Sequence, residues 1–406
     1  MDSRHKMLLG RMILIVQVLS FSLTGCGKLL TTGPEGGETT AEPMDNPQTI
    51  MAAFARGDEQ FARIFTVSEG LGPIFNQPSC ETCHPGDGRG TPQTALIRIS
   101  INGDLIPQQG GPQLQDRGIP GVPGETIPAG AETSVRMPPP VFGRGLMEMI
   151  PDETIIALAD PDDADGDGIS GRVNWVQPAD FVPSYMIGSG PGMAVGRFGL
   201  KANVSSLLQQ VVGAYRDDMG ITSDYLPEES LHPQVGDLSL SDVAPDPEVP
   251  AIEVLDVLMY VRTLAVPNRG EITDGVRRGD TLFSQIGCAS CHTPVLKTGP
   301  SDISSLNRVD APLYSDLLLH DMGPELADNR PDGSADGYEW RTPPLVGIRL
   351  VADNLGGREF YLHDGRATSL EEAIQLHGGE AQAVLDRFLG LSADDQAALI
   401  AFVQSL

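Results

Sequence analysis

Basic residues are few in this 406-residue chain: 27 Lys and Arg stand against 55 Asp and Glu, a formal charge of −28. That shortage excludes binding to nucleic acid or anionic lipid through a basic surface, though it admits a basic protein partner. Aromatic residues are also scarce, at 5% with only two Trp, and the apolar run at residues 12–23 is too short for an ordinary membrane span. In their place are 47 Gly and 33 Pro, which predict many turns and long irregular connections. With 40% apolar and 20% charged residues the chain reads as globular. Its length suggests two or three domains at roughly 150 residues each.

Arg4, Lys6 and Arg11 precede that apolar run, and together they have the shape of a secretory signal. Leu23-Thr24-Gly25-Cys26 follows at once and resembles a bacterial lipobox, in which the cysteine is lipidated and becomes the new N-terminus. The expectation is a signal peptide over residues 1–25, a lipid anchor on Cys26 and a flexible Gly-, Thr-, Pro- and Glu-rich tether over 26–46. Gly27 after the cysteine, where Asp would favour inner-membrane retention, leans toward the outer membrane on the periplasmic side. Membrane attachment is expected through that lipid alone. Cleavage leaves 24 basic and 54 acidic residues, a net charge of −30 on the exported body.

The four remaining cysteines fall into two pairs, Cys80-Glu81-Thr82-Cys83-His84 and Cys288-Ala289-Ser290-Cys291-His292. C-x-x-C-H is the attachment signature of c-type haem. Two thiols about one helical turn apart can add to the two vinyl groups of one porphyrin, and the adjacent imidazole can then face the iron. A thioredoxin-like redox pair, disulfides, or one zinc held by both pairs compete with this reading. A redox pair does not need the histidine, however, and zinc does not need it twice. Two covalently bound c-type haems are expected, ligated by His84 and His292.

Each motif sits in a similar frame. Arg56-Gly57-Asp58-Glu59-Gln60-Phe61 and Arg278-Gly279-Asp280-Thr281-Leu282-Phe283 both read as the start of an amphipathic helix that carries Phe toward the haem. Residues 251–261 and 394–403 show apolar positions at helical spacing behind the motifs. A helix, C-x-x-C-H and a second helix packed across the first is the cytochrome c plan. The predicted fold is therefore mainly α, with two cytochrome c-like haem domains at about 47–268 and 270–406. The first carries a long irregular Gly/Pro-rich insertion at about 90–245.

The stretch from Tyr361-Leu362-His363-Asp364-Gly365 through Leu370-Glu371-Glu372-Ala373 resembles a signature of bacterial di-haem cytochrome c peroxidases. Tyr314-Ser315-Asp316 with His320-Asp321-Met322-Gly323 resembles another segment of those proteins. Asp167-Gly168-Ile169-Ser170-Gly171-Arg172, Trp340-Arg341-Thr342-Pro343-Pro344 and His377-Gly378-Gly379-Glu380-Ala381 are more similar still to the related bacterial di-haem oxidoreductase family, whose members are also labelled thiol oxidoreductases. That resemblance implies communicating haems and peroxide reduction. A small redox protein or cytochrome would feed electrons to the C-terminal haem, and peroxide or another small oxidant would be reduced at the N-terminal one. The alternatives are a non-enzymatic electron-transfer cytochrome, or oxidative modification of a protein or organic substrate.

In the peroxidases the C-terminal haem takes a distal Met about fourteen residues beyond the H-D-G histidine, and here that position is His377. A bis-His haem of lower potential is expected, since Met ligation raises the potential relative to His. His363 and His320 read as structural. No histidine lies between His84 and His232, so the sixth position of the N-terminal haem goes to Met137, Met147 or Met149, to His232, or stays open, the arrangement substrate chemistry needs. By the resemblance Glu148 is the candidate catalytic acid-base, ahead of Gln209 and Gln210, and Trp175 is the candidate on the electron path between the haems. Finally, Asp163-Ala164-Asp165-Gly166-Asp167-Gly168 begins like an EF-hand calcium loop, although its twelfth position is Asn174. Asp163, Asp165 and Asp167 are the candidate ligands, and the alternative is an acidic turn.

Overall fold

The computed structural model describes residues 47–102, 112–186, 192–230, 232, 234 and 243–406. The expected signal, Cys26 and the tether lie outside the described residues. Helices α1 (Pro47–Ala62), α2 (Cys80–Cys83), α3 (Arg144–Glu148), α4 (Asp152–Leu158), α5 (Leu207–Met219) and α6 (Ala251–Thr263) come first in the chain. They are followed by α7 (Asp274–Gln285), α8 (Val351–Asn354), α9 (Leu370–Gln375), α10 (Gln382–Leu389) and α11 (Ala393–Gln404). Helix makes up 37% and strand 12%, so the structure is mainly helical with much irregular chain between elements. No helix among the described residues is long and apolar enough to cross a membrane.

The repeated Arg-Gly-Asp segments lie inside α1 and α7 rather than at their starts, and the glycines explain why. A Cβ on Gly57 would overlap the Asp256 carbonyl of α6 and lie 2.7 Å from Tyr260 Cβ. A Cβ on Gly279 would overlap the Ala398 carbonyl of α11 and lie 2.6 Å from Phe402 Cβ. Each glycine thus marks the point where two helices cross backbone to backbone, which is possible only mid-helix. The preceding arginine ties the crossing down in both halves, Arg56 to Asp256 at 2.6 Å and Arg278 to Asp395 at 2.5 Å. The phenylalanine that follows faces the motif as the sequence suggests. Phe61 lies 6.2 Å from the His84 ring and Phe283 lies 6.3 Å from the His292 ring. Replacing Gly57 or Gly279 by Ala is expected to lower stability by about 1–3 kcal/mol or more, because the clash is with backbone that cannot rotate away. The check is a lower denaturant midpoint at unchanged m-value.

The stretch at about 90–245 is less irregular than its composition suggests. It contains α5, which buries Leu207, Leu208, Val211, Val212, Tyr215 and Met219 on one face. Ser206 caps its start, the Oγ accepting from Gln209 N at 3.2 Å, and Gly220 ends it in the left-handed region at φ +65°. Leu96–Ser100 pairs antiparallel with Glu132–Arg136 in the same stretch. The larger hydrophobic core gathers α1, α3, α5 and α6, but it also takes in Leu296, Leu306, Leu313, Leu317 and Leu318. Residues on both sides of 268–270 thus share this core. A second core joins Val276 and Phe283 of α7 to Phe388 of α10 and Phe402 of α11.

Candidate functional site

Each C-x-x-C-H motif opens on its own cavity. In the first, α2 is a single turn whose start is capped by Ser79, with Thr82 N donating to its Oγ at 3.2 Å. Cys80, Cys83 and His84 line a cavity of about 520 Å³ together with Met137, Gln210 and Asp218. In the second, Cys288, Cys291 and His292 line a cavity of about 260 Å³ with His377 and an apolar wall that includes Phe388 and Leu399. The four thiols are free, with no disulfide between them. Burial pushes Cys80 and Cys288 up to about 12 and raises Cys83 as well. Such thiols are poor redox nucleophiles, which disfavours the thioredoxin-like reading. Lining separate cavities, the pairs cannot share one zinc.

Three imidazoles are prepared to act through a lone pair. Burial lowers His84 and His292 to about 4, with the neighbouring His377 adding to the effect on His292, so both are neutral at pH 7. Burial lowers His377 too. His292 Nδ1 lies 3.0 Å from the Tyr314 carbonyl, and His377 Nδ1 lies 2.8 Å from the Ala373 carbonyl. A carbonyl can only accept, so Nδ1 carries the proton in each and Nε2 keeps its lone pair for a metal.

His320 differs. Its Nε2 is 2.9 Å from Asp316 and its Nδ1 2.8 Å from Glu380. Burial alone would pull it down, but hydrogen bonds to Asp316, Cys291 and Glu380 outweigh burial and raise it to about 12. It is a cation held between two carboxylates. His363 also lines the second cavity, stacked on Trp340 with ring centroids 3.8 Å apart and 12° between planes. Its carbonyl accepts from Met137 N at 2.7 Å, joining the H-D-G loop to the wall of the first cavity.

Other candidates are placed less centrally. Glu148 lines neither cavity; its carboxylate is held by Arg262 at 2.6 Å and accepts from Leu207 N at 3.2 Å. The carboxyl that does line the first cavity is Asp218, which burial raises to about 7, against an opposing hydrogen bond from Gln113. Gln209 and Gln210 line the same cavity, as does Met137, but Met147, Met149 and His232 do not. His232 instead has its Nε2 2.9 Å from the Pro123 carbonyl. Trp175 lines neither cavity and sits in a short strand pair with Val195. In the acidic loop Asp160, Asp163 and Asp165 bring carboxylates within 4.8 Å of one another. Asp167 is outside that group, its Oδ1 accepting from Ile169 N at 2.9 Å.

Reading the sequence alone misses the arginines. Arg89 lines the second cavity, and Arg144 and Arg341 line both. Burial draws Arg89 and Arg144 down to about 10 and Arg341 to about 9. None of the three forms an ion pair among the described residues. The available signal was slight: Arg341 stands in Arg341-Thr342-Pro343-Pro344, and Arg144 follows Pro138-Pro139-Pro140 by four residues, within a chain short of basic residues.

The model of the family described as "Di-haem oxidoreductase, putative peroxidase" matches residues 129–406. No curated protein matches the chain. Among solved structures, a MauG-like protein associated with microbial copper homeostasis is similar at 14% identity and TM-score 0.39, over 93% of this chain and 92% of that one. The diheme peroxidase BthA from Burkholderia thailandensis E264 is similar at 16% identity and TM-score 0.37, over 91% and 89%. Hydrazine synthase from Kuenenia stuttgartiensis is similar at 15% identity and TM-score 0.36, over 93% and 99%.

Proposed function

This chain belongs to the di-haem oxidoreductase family, and from that premise we propose that it is an exported, lipid-anchored di-haem c-type cytochrome with peroxidase-like activity. The residues fit the group. Each cavity presents two unpaired thiols and a neutral imidazole from C-x-x-C-H, an apolar lining, and buried arginines suited to propionates. Bound there, the haems would supply one-electron chemistry, taking electrons at the C-terminal site and reducing peroxide or another small oxidant at the N-terminal site.

The chain's own residues make the two sites unequal. His377 offers a second neutral imidazole beside His292, so the C-terminal site has two histidines that could hold the iron. Among the described residues the N-terminal cavity has no second histidine in its lining, so a small substrate would meet no competing imidazole there. Gln209 and Gln210 give that wall polar side chains, and Asp218 holds a proton near neutral pH. The charge of −28 favours a basic small redox protein as donor. Cys26 would carry the anchor on the periplasmic side, with the outer membrane as its site.

The observation that carries this reading is the contrast between a cavity lined by His377 as well as by its motif histidine His292 and one whose only lining histidine among the described residues is His84. The test is the ferric spectrum of the purified full-length protein, followed by peroxide turnover with a reduced small cytochrome. A high-spin component together with turnover is expected. Entirely low-spin haem in both redox states would make it an electron relay. High-spin haem without peroxide turnover would point to oxidation of a protein or organic substrate.

A further inference from the structure

Two buried cations stand in the wall between the cavities with no anion beside them. Pro139, Pro140, Arg144, Leu200 and Arg341 line both cavities, so they form the partition. Arg144 is 9% and Arg341 3% exposed. Arg144 donates from Nε to the Pro140 carbonyl at 2.8 Å and from Nη2 to the same oxygen, while its Nη1 lies 3.4 Å from Met147 Sδ. Arg341 donates from Nε to the Gly199 carbonyl at 3.1 Å and from Nη1 to the Thr342 carbonyl at 2.7 Å. Carbonyl dipoles orient these guanidiniums without neutralising them. Asp316, the carboxylate whose charge reaches Arg341, is already bonded to His320.

Four other buried cations of this protein are paired. Lys201 meets Asp328 at 2.6 Å, Arg330 meets Asp332 at 2.6 Å, Arg136 meets Asp332 at 2.5 Å, and Arg197 meets Asp152. Two like charges left unpaired in the interior are costly unless something brings the counter-charge. The mutual repulsion of Arg144 and Arg341 adds to the burial that already draws Arg341 down. Any occupant must therefore be anionic, must be reachable from both cavities, and must suit a planar fork of donors, which a carboxylate does.

We propose that Arg144 and Arg341 form a single anion site shared by the two cavities, holding one propionate from each haem and coupling the two irons electrostatically across the Pro139–Pro140 partition. This rests on the di-haem reading above. The pair is a positioning device, not a participant in the chemistry. Arg89 in the C-terminal cavity and Arg98 in the N-terminal one each leave a buried Nε without a partner, and each lines one cavity only. They suit the remaining propionates.

Cations beside a haem disfavour its more positive ferric state, so removing one lowers the midpoint potential. The experiment is a spectroelectrochemical titration of full-length holoprotein, with haem content read by mass. Arg341→Gln and Arg144→Gln are each expected to keep two haems and to lower both midpoints together. Arg341→Lys is expected to restore both toward the wild-type values. Arg89→Gln and Arg98→Gln are each expected to lower one midpoint, and not the same one. If both haems are retained while Arg341→Gln and Arg144→Gln move only one midpoint or none, the shared site is overturned. Should Arg341→Gln fail to fold, Arg144→Gln reads the same pair. Wild-type protein without covalently bound haem would instead sink the di-haem reading itself.

Discussion

Replacing Cys80 and Cys83 together by alanine is expected to leave a protein with one haem attached in place of two. Its mass is expected to fall by one haem, and its pyridine haemochrome absorbance per chain to drop to about half, since on the proposed reading each C-x-x-C-H carries one porphyrin. Cys288→Ala with Cys291→Ala should give the same stoichiometry with the other spectrum surviving. The structural reason is separation: the two pairs line different cavities and have no common ligand to exchange. On the proposed electron path, peroxide turnover should be lost in both double variants for different reasons, the first losing the reacting site and the second its electron supply. A wild-type chain whose mass shows no porphyrin would refute the assignment outright. A first variant that still carries two would show that the attachment points are elsewhere.

His377→Ala is expected to convert one ferric haem from low-spin to high-spin and leave the other unchanged. The neighbouring His292 and His377 both have Nδ1 committed to a backbone carbonyl, which leaves two Nε2 lone pairs in one cavity. His377→Met should keep that haem low-spin while raising its midpoint, because a thioether stabilises the ferrous state relative to imidazole. The second variant guards against misreading a folding defect as a lost ligand. If neither substitution alters either haem in a redox titration, His377 is not a ligand, and its hydrogen bond to Ala373 serves only the C-terminal end of α9.

Much of the architecture was legible where local spacing carries the information. The Arg-Gly-Asp repeat announces two equivalent helices, and the phenylalanine behind each reaches its motif histidine. What the pattern misplaces is the helix start. Gly57 and Gly279 look like boundary residues by propensity, whereas they sit inside helices because a partner helix passes over them. Helix α5 is the converse case: Ser206 and Gly220 mark its ends, but the Gly- and Pro-rich surroundings hide its period. Of the two tryptophans, the resemblance points to Trp175, yet Trp340 lines a cavity, stacked on His363 with Lys201 4.5 Å from its ring centre. In the acidic loop the register shifts by one carboxylate, Asp160 joining the group where Asp167 was expected.

The chain by itself carries the proposed chemistry of attachment. Two thiols and an imidazole within five consecutive residues need only one turn of backbone to converge, so their meaning survives without any knowledge of the fold. Tertiary structure alone decided which residues face that chemistry. Whether Glu148 meets a substrate or Arg262, and whether Arg144 and Arg341 are solvated or buried side by side, depends on segments that chain distance leaves independent. Packing brings them together, and only a packed interior, poor in water, turns an unpaired charge there into a demand for a counter-ion.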